Sequence, residues 1–170
     1  MAVVATGFFD GVHLGHREVI KTLVSSARKK GEEALVVTFD AHPRTVLQQD
    51  AGRLRLLTTP QERERLLLSL GVDRVETIPF SKQFASVDAE SYIRNVLMDK
   101  FKATSIILGY DNRLGSDMLG VKEIGNLCAG LGLKMEEVAP YVMPDGTTVS
   151  STRIRNSLAG GMVDYANDML

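Results

Sequence analysis

The sequence predicts an α/β domain in which a five-stranded, mainly parallel sheet carries helices on both faces. Apolar, β-branched runs alternate along the chain with segments whose apolar residues recur at helical spacing. Most of these runs lack the every-second-residue alternation of a half-exposed strand, which is typical of parallel strands buried on both faces. With 170 residues, 44% of them hydrophobic, the chain is long enough to bury a full core as one domain.

Three strands and two helices are predicted in the first half of the chain. The strands are apolar runs, and the helices are bounded by glycine at their ends and, in the second case, by proline at the start. In order, the elements are a strand over residues 1–5, a helix ending at Gly31, a strand over 34–39, a helix from Pro60 to Gly71 and a strand over 74–78.

The second half repeats this alternation. Asp88 is a good N-cap for a helix, and a later apolar stripe includes Cys128, which we therefore expect in the core. The predicted elements are a helix from Asp88, a strand over residues 105–108, a helix over 121–131, a strand over 133–138, a turn at 144–146 and helical pieces from Thr152 onward.

Composition narrows the function classes. The formal net charge is −1 and there is no polybasic run, so neither nucleic acid nor a membrane surface is an expected partner. The opening apolar run is too short for a signal peptide, no stretch is long enough to span a membrane, and we expect a cytoplasmic protein. The sequence predicts no oligomeric state.

The most informative string is Gly-Phe-Phe-Asp-Gly-Val-His-Leu-Gly-His over residues 7–16, where the first strand gives way to a helix. Free backbone N–H groups and the helix dipole favour an anion there, and His13 and His16 add donors to a phosphoryl group. A lone histidine at such a junction is more often a cap or a surface residue. The string is neither a Walker A loop nor a Gly-x-Gly-x-x-Gly fingerprint. Taken whole, it predicts a nucleotide site, and a nucleotidyl-transfer site in particular.

Two further polar loops follow predicted strands, over residues 39–44 and 109–113. Ligands of parallel sheets collect at the carboxyl ends of the strands, so all three loops are expected at one edge. The string Ser-Ser-Thr-Arg-Ile-Arg over residues 150–155 is either a helix cap with solvated arginines or a second phosphate grip. Arginines oppose the dipole at a helix start, which an anion bound there would explain. Zinc-ligand spacings are absent, and magnesium carried with a nucleotide is the better expectation.

These strings resemble the adenylyltransferase module of the bacterial bifunctional riboflavin kinase/FAD synthetase family across essentially the whole chain. Residues 7–16 match that family's Gly-x-Phe-Asp-Gly-Val-His-x-Gly-His, and residues 150–155 match its Ser-Ser-Thr-x-Ile-Arg. Residues 39–44 resemble Phe-Asp-Pro-His-Pro-Arg, and residues 80–85 resemble Phe-x-x-x-Phe-Ala. The combination is more specific than the His-x-Gly-His element, which all nucleotidylyl transferases and class I synthetases share.

The resemblance implies a Rossmann-like nucleotidylyl transferase fold, a single domain over residues 1–170, and the absence of the family's C-terminal riboflavin kinase domain. The implied reaction transfers AMP from ATP, carried with Mg²⁺, to FMN, giving FAD and pyrophosphate. The implied catalytic residues are His13, His16, Ser151 and Arg155. The implied ATP-binding residues are Gly7, Phe8, Phe9, Gly15, Gly109, Asp111, Ser150 and Thr152. The implied flavin-binding residues are His42, Pro43, Arg44, Asp111 and Asn112.

The sequence departs from the family pattern at three positions. Ala41 stands where proline is usual, which loosens the chain before His42. Asn112 and Leu114 stand where the family commonly has phenylalanine, so this loop departs from the family where it would contact the flavin ring. Two alternatives stay open: adenylyl or cytidylyl transfer to another phosphate acceptor, such as nicotinamide mononucleotide or phosphopantetheine, and an inactive nucleotide- or flavin-binding module.

Overall fold

An all-parallel sheet of five strands forms the centre of the computed structural model, which describes residues 1–47 and 54–170. The strand order is β3-β2-β1-β4-β5, so the chain starts in the middle of the sheet and builds outward in both directions. The strands are β1 (Ala2–Thr6), β2 (Glu33–Phe39), β3 (Arg74–Ile78), β4 (Ala103–Gly109) and β5 (Lys134–Val138). The predicted fold class and all five strands are confirmed.

The helices that the sequence predicts are also present. They are α1 (Leu14–Lys30), α3 (Pro60–Ser69), α5 (Ala89–Ser91) with its π-helical continuation (Tyr92–Lys100), α6 (Val121–Gly130), α7 (Ser151–Ala159) and α8 (Val163–Asn167). In the described part of the chain, the short α-helices α2 (Pro43–Leu47) and α4 (Lys82–Ala85) and a 3-10 turn over Asp10–Val12 were not predicted. None of them is long enough to show a helical repeat of apolar residues.

Alternate residues of each strand point to opposite faces of the sheet, and each face carries its own core. On one face, Val3 and Ala5 of β1 pack with Ile20 and Leu23 of α1 and Leu67 of α3. On the other face, the core continues into the π-helical segment and α6, and it includes Cys128, as predicted. A smaller cluster joins α7 to α8. Among the described residues, no helix combines the length and hydropathy needed to cross a bilayer.

The strand order determines where a ligand can bind. The crossover from β1 to β2 runs to one side of β1, and the chain later returns to pair β4 with the other side. The loops that leave β1 and β4 therefore diverge and open a crevice at the carboxyl edge of the sheet. This edge carries the three predicted polar loops.

Candidate functional site

A cavity of about 810 Å³ lies at the carboxyl edge of the sheet. It is bordered by the segments that follow β1, β2 and β4 and by the start of α7. Every site residue predicted from the sequence lines it, namely Gly7, Phe8, Phe9, His13, Gly15, His16, His42, Pro43, Arg44, Gly109, Asp111, Asn112, Ser150, Ser151, Thr152 and Arg155. The prediction that the three polar loops gather at one edge is confirmed.

His13 is the N-cap of α1. Its Nδ1 accepts a hydrogen bond from the backbone N–H of His16 at 3.3 Å. A neutral imidazole that accepts through Nδ1 carries its proton on Nε2, so the cap leaves that N–H as the donor of the ring. His13 can therefore cap α1 through Nδ1 and at the same time donate a hydrogen bond to a ligand through Nε2.

The rings of His13 and His16 stack, with centroids 3.6 Å apart and planes 15° from parallel. Burial lowers the pKa of His13 to about 4; a backbone hydrogen bond opposes this shift and the charge of Arg155 assists it. Burial, and then the neighbouring His13, hold the pKa of His16 well below its ordinary value. Both rings are neutral at pH 7, which suits hydrogen-bond donors better than general bases.

The neutral state of His13 predicts a pH dependence of stability. Its pKa is about 4 in the folded protein and 6.5 in the unfolded chain, so only the unfolded state takes up a proton between these values. The free energy of unfolding should be unaffected by this group above pH 6.5 and fall by about 3 kcal/mol as the pH drops to 4. Urea denaturation at several pH values measures it. His13→Gln should flatten the dependence, and an unchanged slope would contradict the assignment.

The turn between β1 and α1 adopts an unusual backbone. Phe9, Gly11 and Val12 have φ angles of 56°, 79° and 43°, in the left-handed region that a β-branched residue rarely enters. The strain is held in place because Phe9 and Val12 are both buried and Arg17 Nε donates to the Val12 carbonyl. This backbone turns the chain sharply before His13 and leads the histidines to the cavity.

Asp10 connects this turn to two distant segments, which the sequence analysis missed. Its Oδ2 accepts from Arg155 Nη1 at 2.7 Å, and its Oδ1 accepts from the backbone N–H groups of Leu57 and Thr58 at 2.9 and 3.1 Å. Asp10 is 3% exposed, so its charge is compensated almost entirely by these partners. The anion that makes an arginine acceptable in the first turns of α7 is thus, in this structure, a carboxylate of the protein itself.

The start of α7 combines a helix cap with donors that face the cavity. Ser150 caps the helix by accepting from the backbone N–H of Arg153 at 3.3 Å, as the cap reading proposed. Ser151 Oγ donates to the Asp10 carbonyl at 2.9 Å, and Arg155 Nη2 donates to Thr152 Oγ1 at 3.3 Å. These contacts bring the hydroxyls and the guanidinium to the histidine turn.

The segment after β2 forms the next wall. His42 Nδ1 accepts from the backbone N–H of Arg44 at 3.1 Å, which orients the imidazole just before α2. The His42 and Phe8 rings are in an edge contact, with centroids 4.7 Å apart and planes 69° from parallel. Arg44 is exposed at the rim. Four aromatic rings continue this side in edge and tilted contacts, those of Phe39, Phe80, Phe84 and Tyr92.

The loop after β4 explains two of the departures from the family pattern. Asn112 Oδ1 accepts from the N–H of Gly109 at 3.1 Å, and Asn112 Nδ2 donates to the carbonyl of Thr6 at 2.9 Å. The amide therefore ties the carboxyl ends of β4 and β1 together, which a phenylalanine could not do. Leu114 is buried and forms a β-bridge with Leu119, so it is a core residue. Direct flavin binding by Asn112 stays a prediction.

Gly115 seats this loop against the start of α5. Its φ is +76°, and a Cβ at this position would lie 2.1 Å from the backbone nitrogen of Ala89. Gly115→Ala should therefore lower the free energy of unfolding by at least about 1–2 kcal/mol from the left-handed backbone alone, with the clash in addition. Chemical denaturation measures this loss. Gly132→Ala is the matched control, because its φ is +71° with no atom within 4 Å of the new Cβ. Equal losses in both variants would show that close packing at Gly115 is unimportant.

The chemistry of the cavity is that of anion binding. Within residues 1–47 and 54–170, no group of three or more His, Cys, Asp or Glu side chains could hold a metal ion. The groups provided are imidazole, hydroxyl, guanidinium and backbone N–H, all of which can donate to phosphate oxygens. An aromatic wall lies beside them. The cavity can thus hold a polyphosphate next to a planar ring.

Comparison with known proteins agrees with this chemistry. Residues 1–153 match the sequence model of a family described as FAD synthetase. The bifunctional riboflavin kinase/FMN adenylyltransferase of Listeria monocytogenes is 31% identical over 99% of this chain and 53% of its own length. The Bacillus subtilis protein of the same name is 30% identical over 99% and 53%. The chain therefore spans about half the length of these relatives.

Two solved structures support the fold. One, described as a macrolide-efflux protein from Streptococcus pneumoniae, is 31% identical and superimposes with a TM-score of 0.88 over 99% of this chain and 55% of that one. The other, pantothenate synthetase from Thermus thermophilus, is 16% identical with a TM-score of 0.60 over 91% and 61%. The second likeness concerns the fold alone.

Proposed function

Because the chain belongs to the FAD synthetase family, we propose that it is an FMN adenylyltransferase, which transfers AMP from ATP to FMN and releases pyrophosphate. One observation carries the proposal. The two stacked histidines of the β1–α1 turn and the hydroxyl and guanidinium groups of α7 line one cavity, which aromatic side chains also line. Hydrogen-bond donors suit the triphosphate of ATP, aromatic side chains suit the flavin ring, and one cavity brings the two substrates together.

In the proposed reaction, a phosphate oxygen of FMN attacks the α-phosphorus of ATP and the bond to the β-phosphate breaks. The second pKa of a phosphate monoester is about 6, so the nucleophile is already ionised at neutral pH and needs no base. A low pKa makes His13 a poor base and a neutral N–H donor, in agreement with this scheme. The protein's contribution is alignment of the two phosphates and stabilisation of the charge that develops.

On the ATP side, His13 and His16 hold the α- and β-phosphates, and Ser151 and Arg155 hold the departing pyrophosphate. Gly7 and Gly15 keep side chains away from the nucleotide. Ideal Cβ atoms at these two positions would lie 3.3 and 3.2 Å from the rings of Phe9 and His13. Phe8, Phe9, Gly109, Asp111, Ser150 and Thr152 complete the proposed nucleotide contacts.

On the acceptor side, His42, Pro43, Arg44, Asp111 and Asn112 form the proposed flavin contacts. The nearby aromatic cluster supports a site for a planar ring, since aromatic side chains bury large flat areas. Mg²⁺ enters as part of the substrate, bound to the phosphates of ATP. Mg²⁺ prefers carboxylate oxygens, but the buried carboxylate of Asp10 is already paired with Arg155, so this side chain is not free to bind the ion.

The test is direct. The protein is incubated with ATP, Mg²⁺ and FMN, and the products are separated by chromatography. FAD and pyrophosphate in equal amounts are expected. Parallel reactions replace FMN with nicotinamide mononucleotide or phosphopantetheine. Transfer to either of these in preference to FMN, or no transfer at all, would refute the proposal.

A further inference from the structure

A buried arginine lies behind the wall of the cavity. Arg63 of α3 is 1% exposed, and Leu67, one turn later on the same face, is fully buried in the apolar core. An arginine side chain stays charged at all physiological pH values, and burying a charge is costly unless it is well paired. An apolar side chain would fit this face of α3 without that cost. The position therefore calls for an explanation beyond packing.

The contacts of Arg63 are directed at the walls of the site. Its Nη2 donates to the carbonyl of Phe39, the last residue of β2, at 2.7 Å. Its Cζ lies 4.2 Å from the centroid of the Phe8 ring, a cation–π contact. Within the described residues, its Nε and Nη1 have no hydrogen-bond partner. The guanidinium thus makes one contact to each of two cavity-lining residues, and the negative charge of Asp10 also acts on it.

Both contacts lead to His42. The Phe8 ring contacts both side chains: the Cζ of Arg63 lies 4.2 Å from its centroid, and the His42 ring is in edge contact with it at 4.7 Å. Phe39, whose carbonyl Arg63 holds, is where the segment that carries His42 leaves the sheet. Arg63 therefore contacts both the ring against which His42 packs and the residue from which the segment that carries His42 begins.

We propose that Arg63 is a positioning residue for the acceptor half of the cavity, acting through Phe8 and the end of β2 on His42. The inference rests on the proposed function for the identity of the acceptor, FMN, but not for the placement of His42. Arg63 does not line the cavity and touches no substrate.

Electrostatics supports this geometry. Burial is the largest cause that lowers the pKa of His42, and the charged groups that act on it are Arg155, Asp10, Arg44 and Arg63. The three arginines lower the pKa and Asp10 raises it, with Arg63 the weakest of the four. Removal of Arg63 should therefore raise the pKa of His42 slightly, and loss of the Phe8 contact should change the environment of its ring.

The kinetic test compares Arg63→Met with Arg65→Met, an exposed arginine on the same helix. Arg63→Met should raise the KM for FMN about tenfold, as expected for loss of a desolvated cation–π contact, and raise the KM for ATP less, because Phe8 is also a proposed nucleotide contact. Arg65→Met should change neither. Equal rises in both KM values, or none, would overturn the proposal.

Arg63→Lys covers the case in which Arg63→Met fails to fold. Its single ammonium keeps the charge but cannot donate to Phe39 and also lie flat beneath the Phe8 ring. A smaller rise in the KM for FMN is expected, and an unchanged KM would contradict the proposal.

A second readout needs no substrate. The chain has 3 histidines, so NMR can follow each ring. In the ligand-free protein, Arg63→Met, or Arg63→Lys in its place, should shift the ring-proton signals of His42 and leave those of His13 and His16 in position. Unshifted His42 signals would overturn the placement. Failure of the proposed function would be seen instead as no FAD from the wild-type protein, whatever the His42 signals do.

Discussion

His16→Ala is expected to abolish FAD formation while leaving the fold intact. The substitution removes a donor from the proposed α- and β-phosphate site and the ring that stacks on His13. Loss of one donor that acts in the transition state lowers kcat by about 10²–10³. The fold should persist because the backbone N–H of residue 16 still donates to His13 Nδ1 and α1 keeps its cap. Chromatographic FAD assays and circular dichroism measure the two outcomes.

Two further variants sharpen this experiment. Lys21→Ala changes an exposed residue of α1 outside the cavity and should leave turnover unchanged. His16→Asn keeps an N–H donor and should retain more activity than His16→Ala. Turnover near the wild-type value in His16→Ala would refute the assignment of this histidine.

Asp10→Ala should lower the free energy of unfolding by about 3–5 kcal/mol, as expected when one partner of a buried ion pair is removed. The side chain of Arg155 is 15% exposed and would keep its charge without its carboxylate partner. The N–H groups of Leu57 and Thr58 would lose their acceptor in the same step. Urea denaturation at pH 7 measures the loss.

A double-mutant cycle separates the ion pair from the other contacts of Asp10. Asp10→Ala combined with Arg155→Ala should cost clearly less than the two single changes added together. Asp10→Asn keeps an oxygen for Leu57 and Thr58, so it should lose only the part due to Arg155. Asp99→Ala, at an exposed carboxylate, is the control. Strict additivity would show that the pair does not couple the turn to α7.

The sheet could be predicted because its strands are nearly continuous apolar runs. Residues 34–39 contain only one polar side chain, that of Thr38, and six of the seven residues of β2 are buried. The ends of the strands were predicted less accurately than the strands themselves. The first strand was predicted over residues 1–5 and is found over Ala2–Thr6, because buried Thr6 satisfies its hydroxyl against Tyr92 at 2.6 Å. A polar residue with a buried partner is not visible as core from the sequence.

The helix ends followed local chemistry, and they were predicted for that reason. Gly31 has a φ of +65° and ends α1, and Pro60 opens α3 behind a capping box formed by Thr59 and Glu62. Such signals lie within a few residues of the element that they end. They need no knowledge of the rest of the fold.

The partners of the site residues could not be predicted in this way. The string over residues 7–16 indicated a phosphate site, but nothing in it shows that Asp10 pairs with an arginine 145 positions later. Arg63 did give a signal, a charged residue one turn before a buried leucine on the apolar face of α3. The helical spacing of Arg63 and Leu67 can be recognised from the sequence, whereas the burial of Arg63 is shown only by the structure.

Synthesis order gives the Asp10 contact a further consequence. The guanidinium that neutralises this carboxylate is synthesised 145 positions after it. Until then the carboxylate lacks this partner, and only its contacts with Leu57 and Thr58 can hold it. The contact between the histidine turn and α7 therefore forms only after all five strands of the sheet have been synthesised.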